Sequence, residues 1–377
     1  MLLFITAIFT MLSISVKARG SSSSPTNRQL RQQIQHMSLS EKIGQMYVVS
    51  STNDPVELDE DLKTYHFGGI VLFAQDFAGQ DRVSFTKRMT EYQRAADLPL
   101  LIGTDQEGGT VSRLNAGPQL TGAETFPSPS QIYQQYGLNG NEDLTAKTAR
   151  LLRGLGVNWN FSPVVDVTGD HNSFIYDRTL GQGYGETAAY AVRSVRGMQR
   201  ENVGATLKHF PGYGSTADTH TGLATTSRPL SAFMRDDFLP FKAGIRAGAD
   251  SIMVAHIIAR KIDPRFPASL SPRIHRLLRE ELHFKGVVVS DDLSMGAIKD
   301  FAQKENVSAD VLAVKAGNDM ILSNNYATGI PAIKNAVKKG YLSEKQIDHS
   351  IYRILRMKRS LNLLKMGHKV SGTTDNY

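Results

Sequence analysis

The 377-residue sequence contains no cysteine. This absence excludes a disulfide scaffold, a thiolate metal site, an iron–sulfur cluster and a cysteine nucleophile. It leaves the redox compartment open, because a chain without cysteine folds equally well under reducing and oxidising conditions. Hydrophobic residues make up 41% of the chain and charged residues 21%, a composition typical of a soluble globular protein with a large core. The length allows one large domain or two ordinary ones.

Long hydrophobic runs are also scarce. Residues 1–16 form an uncharged apolar run that is shorter than the roughly 20 residues needed to span a bilayer. The run fits the core of a signal peptide, with Val16 and Ala18 as small residues at a cleavage site. We therefore expect residues 1–18 to be a signal peptide, no stable membrane span, and a periplasmic or secreted protein. The alternatives are an uncleaved anchor or a misassigned start, which would place the protein in the cytoplasm.

A concentrated patch of one charge sign is missing as well. The net charge is +7, but the basic residues are scattered, with modest runs only at 338–339 and 353–359. The sequence contains no motif typical of nucleic-acid binding. We interpret the basic residues as solvated surface charge and expect no nucleic-acid partner.

What is present is a regular alternation of apolar runs and amphipathic segments. The runs are nearly continuous, which indicates strands that are covered on both faces. Eight such units predict a single (β/α)₈ TIM barrel; a doubly wound open sheet is the alternative, because periodicity does not prove closure. The predicted strands are 45–50, 69–73, 99–104, 157–167, 205–209, 251–256, 286–290 and 319–323. We assign residues 19–34 to a linker, 35–366 to the barrel domain and 367–377 to a tail.

Polar residues follow several of these apolar runs. In a TIM barrel the carboxyl ends of the strands build the active site. Asp105, Asp166, the Lys208–His209 pair, His256 and Asp291 stand at these ends. Asp291 follows an apolar strand and is a candidate nucleophile; the alternative is a buried salt-bridge or capping aspartate. Its neighbour Asp292 is expected to face the other way and to cap the next helix.

A Pro- and Gly-rich loop follows Lys208–His209 and reaches Asp218 and His220. An aspartate two residues from a histidine can orient the ring and raise its basicity, as in a catalytic triad. The pair therefore suits general acid/base catalysis near neutral pH. A pair of metal ligands and two surface residues without a role are the alternatives.

Cationic side chains complete the candidate site. Lys208, Arg113 and Arg178 are donors without acceptors and suit the oxygens of a polar ligand. Arg113 lies eight residues after Asp105, across a Gly108–Gly109 turn. The two side chains either converge on one ligand or pair with each other. We recognise no set of metal ligands and no cofactor motif.

The motifs, taken together and in order, resemble glycoside hydrolase family 3 in its β-N-acetylglucosaminidase (β-hexosaminidase) branch. The resemblance covers residues 39–364 and rests on GTDQEGGTVSRL, GVNWNFSPVVDV, DRTLG, LKHFPGYG with ADTH, ADSIMVAHI and FKGVVVSDDLSMGAI. It implies a (β/α)₈ barrel, and we expect a single catalytic domain without the trailing sandwich domain that many family members carry. It also implies a retaining exo-glycosidase that removes terminal β-linked N-acetylglucosamine, often from peptidoglycan fragments.

The resemblance also implies roles for individual residues. Asp291 matches the nucleophile, and His220, oriented by Asp218, matches the general acid/base. The residues that match binders of the sugar ring and its acetamido group are Asp105, Arg113, Arg178, Lys208 and His209. The expected partners are glycans or muropeptides that contain N-acetylglucosamine, and the protein is expected to be a monomer that needs neither metal nor cofactor.

Three motifs differ from the family pattern. Tyr213 stands where the branch has a second histidine, and the stretch from Gly214 to Asp218 is one residue short. Thr110 replaces an arginine, and DRTLG replaces DRSFG. Three alternative functions remain: an N-acetylglucosaminide phosphorylase, a β-glucosidase of the same family, and a non-catalytic sugar-binding barrel.

Overall fold

The computed structural model describes residues 24–51, 55–219, 222 and 224–364. Eight parallel strands form its centre. They are β1 (Tyr47–Ser50), β2 (Gly69–Leu72), β3 (Leu101–Thr104), β4 (Trp159–Asn160), β5 (Gly204–Phe210), β6 (Ser251–Val254), β7 (Val287–Ser290) and β8 (Ile321–Leu322). The hydrogen-bonded order is β7-β6-β5-β4-β3-β2-β1-β8. Every neighbouring pair is parallel, as the alternation of strands and helices predicts.

The sheet closes on itself between β7 and β8. Val289 and Met320 form a parallel bridge, and the Leu293 amide donates to the Leu322 carbonyl at 2.9 Å. The predicted TIM barrel is therefore confirmed, and the open sheet is excluded. Almost every strand residue is buried, which explains why the strands are continuous apolar runs rather than alternating ones.

Fifteen α-helices surround the barrel within the described residues. They are α1 (Asn27–His36), α2 (Leu39–Gln45), α3 (Pro55–Tyr65), α4 (Ala74–Phe77), α5 (Arg82–Ala95), α6 (Pro118–Thr121), α7 (Pro129–Gly154), α8 (Tyr184–Arg200), α9 (Leu230–Arg235), α10 (Phe238–Arg246), α11 (Pro272–Arg276), α12 (Gly296–Glu305), α13 (Ala309–Ala316), α14 (Tyr326–Lys338) and α15 (Glu344–Ser360). A π-helical turn, Leu277–Glu281, continues α11. None of the helices in the described part of the chain combines the length and apolar character of a membrane span.

The predicted linker is wrong at its carboxyl end, because α1 begins at Asn27. Thr26 and Gln29 form a reciprocal capping box at its start. Leu30 and Ile34, spaced by four residues, are buried, and α1 packs against α15. Residues 27–34 are therefore part of the folded domain. The predicted signal peptide (1–18) and tail (367–377) lie outside the described residues.

Ser343 and Gln346, at the start of α15, have the spacing of a capping box, but the box forms only in part. The Ser343 hydroxyl accepts from the Gln346 amide at 3.3 Å, as expected for an N-cap. The Gln346 side chain turns away and donates to the Val314 carbonyl at 2.6 Å. This contact ties α15 to α13 instead of closing the box.

Candidate active site

A cavity of about 370 Å³ lies at the carboxyl ends of the strands. Its walls combine acidic, basic and apolar side chains from seven of the eight strands or the loops that follow them. The residues that line it are Val71, Phe73, Asp105, Glu107, Val111, Arg113, Arg178, Lys208, His209, Met253, Asp291, Asp292, Met295 and Leu322. Six of the eight predicted site residues are among them, although they come from positions as far apart as 105 and 291 in the chain.

Asp105, directly after β3, is held between two cations. Its Oδ1 lies 2.7 Å from Lys208 Nζ, and its Oδ2 lies 3.4 Å from Arg113 Nη2. Burial alone would raise the pKa of Asp105, but Lys208 and Arg113 outweigh it and hold the pKa at about 2. Arg113 and Asp105 therefore pair with each other and also face one cavity. The carboxylate stays ionised and can accept hydrogen bonds from a polar ligand.

Glu107 is a central residue of the cavity that the sequence did not single out. Its side chain is 1% exposed and accepts from Arg178 at 2.9 Å (Nε) and 2.8 Å (Nη2), while Lys208 Nζ lies 2.6 Å from its Oε1. Burial opposes ionisation, yet Arg178 and Lys208 bring the pKa of Glu107 to about 2. The position of Glu107 could have indicated this role. It is two residues after Asp105 in the same strand-end segment, and residues spaced by two in an extended segment face the same side.

His209 is held from both sides of its ring. Its Nδ1 lies 2.7 Å from Asp166 Oδ2, and its Nε2 lies 3.3 Å from Arg178 Nη2. Because an arginine can only donate, this network assigns the proton to Nδ1. Burial, with Arg178 and Lys208 nearby, lowers the pKa of His209 well below its usual value. His209 is therefore a neutral donor to Asp166 and an acceptor from Arg178.

Asp291 follows β7 directly and lines the cavity. Its amide donates to the Val254 carbonyl at 3.0 Å, and its Oδ1 accepts from the Asp292 amide at 2.9 Å. Burial would raise the pKa of Asp291, but His256, the hydrogen bond from the Asp292 amide and the Lys208 cation outweigh it, and the pKa falls below its usual value. The carboxylate is therefore fixed in place and ionised, two properties that a nucleophile needs.

Asp292 is not a helix cap, in contrast to the prediction. Helix α12 begins at Gly296, and the Asp292 carboxylate accepts from the Ser294 amide at 2.8 Å. The alternation expected of a strand does not apply, since β7 ends at Ser290. The Asp292 carbonyl lies 2.9 Å from His256 Nε2, so His256 holds the backbone next to Asp291.

The loop after β5 carries the remaining predicted residues. Asp218 is half-buried on this loop and is not one of the residues that line the cavity. Its neighbour Thr219 is buried and lies 2.6 Å from the Tyr213 hydroxyl. The amide of Tyr213 in turn donates to Asp166 Oδ1 at 2.8 Å. His220, the predicted general acid/base, lies outside the described residues.

The cavity thus combines the ionised carboxylate of Asp291 with a cluster of paired donors and acceptors that line the same cavity. Such a cluster can hold the hydroxyl and amide groups of a sugar in a fixed orientation. No three His, Asp or Glu side chains within the described ranges are grouped so as to hold a metal ion.

The chain resembles known proteins in sequence. Residues 38–357 match the family model of the glycosyl hydrolase family 3 N terminal domain. A β-hexosaminidase from Stenotrophomonas maltophilia is 39% identical over 237 residues, which cover 61% of this chain and 68% of that protein.

Solved structures show the same similarity. A glycoside hydrolase family 3 β-N-acetylglucosaminidase from Paenibacillus sp. superposes with a TM-score of 0.80 at 31% identity, over 90% of this chain and 66% of that one. A β-N-acetylhexosaminidase from Beutenbergia cavernae superposes with a TM-score of 0.74 at 26% identity, over 85% of this chain and 98% of that one.

Proposed function

The chain belongs to glycosyl hydrolase family 3 and is a glycosidase, and from that premise we propose that it is a retaining exo-β-N-acetylglucosaminidase. The observation that carries the proposal is the position of Asp291. It is an ionised carboxylate at the end of β7 that faces the same cavity as the polar cluster around Lys208. The names of the relatives, β-hexosaminidase and β-N-acetylglucosaminidase, support the choice of sugar.

In the first step, a carboxylate oxygen of Asp291 attacks the anomeric carbon of the bound sugar. A bond forms between this oxygen and the anomeric carbon, and the bond to the aglycone oxygen breaks. The aglycone oxygen takes a proton from His220, the residue that matches the general acid. The product of this step is a glycosyl–aspartate ester and a free aglycone.

In the second step, water attacks the same carbon and gives its proton to His220. The ester bond to Asp291 breaks, and the carboxylate is restored. Two displacements at one carbon retain its configuration. A histidine in this role places no second anion beside Asp291, in contrast to the pair of carboxylates that most glycosidases use.

The polar cluster supplies the binding groups. We assign Asp105 and Arg113 to the sugar hydroxyls, because both reach the cavity and their mutual contact, at 3.4 Å, is long for a charged pair. Arg178 and Lys208 are held by Glu107, and His209, itself held by Asp166, accepts from Arg178, so Arg178 and Lys208 present donors at fixed positions. Such preorganisation favours the transition state, since no reorientation is needed during the reaction.

The natural substrate and location are further parts of the proposal. We assign the substrate class to terminal β-linked N-acetylglucosamine of peptidoglycan fragments, on the resemblance of the motifs described above. We also propose that the protein is exported to the periplasm or the medium, because residues 1–16 form an apolar run typical of a signal peptide.

The test compares release of 4-nitrophenol from the N-acetyl-β-glucosaminide and from the β-glucoside, each with and without inorganic phosphate. We expect kcat/KM to be at least about tenfold higher for the N-acetylglucosaminide, and we expect phosphate to leave the rate unchanged. A preference for the glucoside would favour a β-glucosidase. A rate that rises with phosphate would favour a phosphorylase, and the absence of turnover would favour a sugar-binding barrel.

A further inference from the structure

A second cavity, of about 420 Å³, lies at the amino ends of β6 and β7, the end of the barrel opposite the candidate active site. Five of the side chains that line it are basic, and one is acidic. The basic residues are His283, Lys285, Arg353, Arg356 and Arg359, and the acidic residue is Asp250. We refer to this cavity as the basic pocket.

Two separate segments bring these basic residues together. His283 and Lys285 belong to the turn before β7, and the three arginines project from the second half of α15. Arg353, Arg356 and Arg359 are spaced by three residues, which places them on one side of that helix. Cations near a helix C-terminus stabilise its dipole, but this effect does not account for His283 and Lys285, which come from another segment.

The acidic residue does not neutralise the pocket. Asp250 Oδ2 accepts from the Ala205 amide at 3.1 Å, so the carboxylate bonds the start of β5 rather than a cation. The positive charge of Arg353 is partly compensated, because its Nη1 lies 2.9 Å from Asp319 Oδ1. Asp319 also pairs with Arg279, so it is shared between two arginines.

The remaining cations have no acidic partner among the described residues. Arg359 Nη1 donates to the Pro25 carbonyl at 3.0 Å, which leaves its positive charge uncompensated. Lys285 and Arg356 are exposed at the rim, and neither makes an ion pair within the described part of the chain. Arg356 lies 5.9 Å from the Tyr352 ring.

We propose that the basic pocket binds a phosphate-bearing ligand. Guanidinium and ammonium groups are donors without acceptors, and two or three of them around one cavity match the oxygens of a phosphate. The cavity is larger than a phosphate ion, so it also accommodates the headgroup of an anionic phospholipid. If the apolar run 1–16 stays uncleaved, the alternative named for it above, the contact between Arg359 and Pro25 favours this second source, because Pro25 is nine residues after that run. Juxtamembrane basic residues attract anionic lipids.

The test uses the double variant Lys285→Gln/Arg356→Gln and two probes. One probe is inorganic phosphate at constant ionic strength, with thermal unfolding as the readout. The other is cosedimentation with vesicles of phosphatidylglycerol and phosphatidylcholine, compared with vesicles of phosphatidylcholine alone. The matched control is Arg94→Gln/Lys304→Gln, which removes the same charge from exposed positions on α5 and α12.

We expect the wild-type protein to bind at least one of the two probes. The affinity for that probe should be about tenfold or more weaker in the pocket variant and unchanged in the control variant. If the pocket variant binds phosphate more weakly, the ligand is the free ion. If it binds only the phosphatidylglycerol vesicles more weakly, the ligand is the lipid headgroup. Binding to neither probe, or equal losses in both variants, overturns the proposal, since an equal loss reflects net charge alone. Turnover of the aryl glycoside is expected to stay unchanged, so this test is independent of the proposed function.

Discussion

The Tyr213 hydroxyl lies 2.6 Å from the Thr219 hydroxyl, and both residues are buried. Thr219 stands between Asp218 and His220, so this contact fixes the backbone next to the proposed acid/base pair. Tyr213 is itself fixed, because its amide donates to Asp166 and its ring packs edge-on against His209 at 5.0 Å. The residue that departs from the family pattern therefore connects the binding cluster to the loop that carries the pair.

Replacing Tyr213 with phenylalanine tests this connection. The ring contacts are kept, while the hydrogen bond to Thr219 is lost. We expect kcat for the aryl N-acetylglucosaminide to fall about 2- to 13-fold, the equivalent of one hydrogen bond, with little change in KM or melting temperature. Tyr136→Phe, at an exposed position on α7, is the control and should behave as wild type. An unchanged kcat in Tyr213→Phe would show that the contact does not position the loop.

The Glu107→Gln variant tests the charge network. Lys208 is 1% exposed and Arg178 is 14% exposed, and both pair with Glu107. Without this carboxylate Lys208 pairs only with Asp105, and Arg178 keeps no ion pair among the described residues, so buried positive charge is left uncompensated. We expect the free energy of unfolding to fall by about 3 kcal/mol or more, measured by urea denaturation, and we expect kcat/KM to fall as well.

A matched control for this variant is Glu124→Gln. Glu124 pairs with Lys147 at the surface, where an ion pair contributes at most about 1 kcal/mol. If Glu107→Gln is as stable as Glu124→Gln, the buried network does not stabilise the barrel.

The buried Lys358 side chain should make the folded protein more stable as the pH rises. It is fully buried on α15, its Nζ donates to Gln45 Oε1 at 2.6 Å, and burial lowers its pKa to about 7. The unfolded chain, with a lysine pKa near 10.4, binds this proton more tightly. Stability therefore rises with pH between about 7 and 10, by about 3–5 kcal/mol at most.

The Lys358→Met variant removes this dependence. We expect it to be more stable than wild type at pH 7 and to lose the advantage near pH 10, in urea unfolding at both values. Lys345→Met, exposed on the same helix, is the control and should follow the wild-type profile. A Lys358→Met variant that is less stable at pH 7 would show that the lysine is retained for a favourable interaction.

The His220→Ala variant tests the acid/base assignment. We expect both chemical steps to slow by roughly 10²–10⁴, the usual contribution of a proton shuttle. Aglycones that are good leaving groups need less protonation, so the first step should be slowed less for them. An equal effect on good and poor leaving groups would show that His220 is not the general acid.

Much of the fold could be predicted from the sequence because each strand is a buried apolar run. The polar residues that end these runs, such as Asp291 and Lys208, also indicated where the cavity is. Helix α1 was missed because only Leu30 and Ile34 of its ten residues are buried, next to a serine tract. Closure of the barrel depends on the Val289–Met320 bridge, which no local pattern specifies.

The site was harder to predict where a role depends on distant partners. Glu107 gains its importance from Arg178, 71 residues later in the chain. The role of Tyr213 depends on the path of the loop that returns Thr219 to its hydroxyl. Asp292 was misassigned because the expected alternation assumes that the strand continues beyond Ser290.

The most direct test of the account is to identify the residue that becomes glycosylated. A slow fluorinated N-acetylglucosaminyl substrate traps the covalent intermediate, and peptide mass spectrometry locates the sugar. The account predicts a sugar on the peptide that contains Asp291, and no label in the Asp291→Ala variant. A label on another peptide, or a product with inverted anomeric configuration, would contradict it.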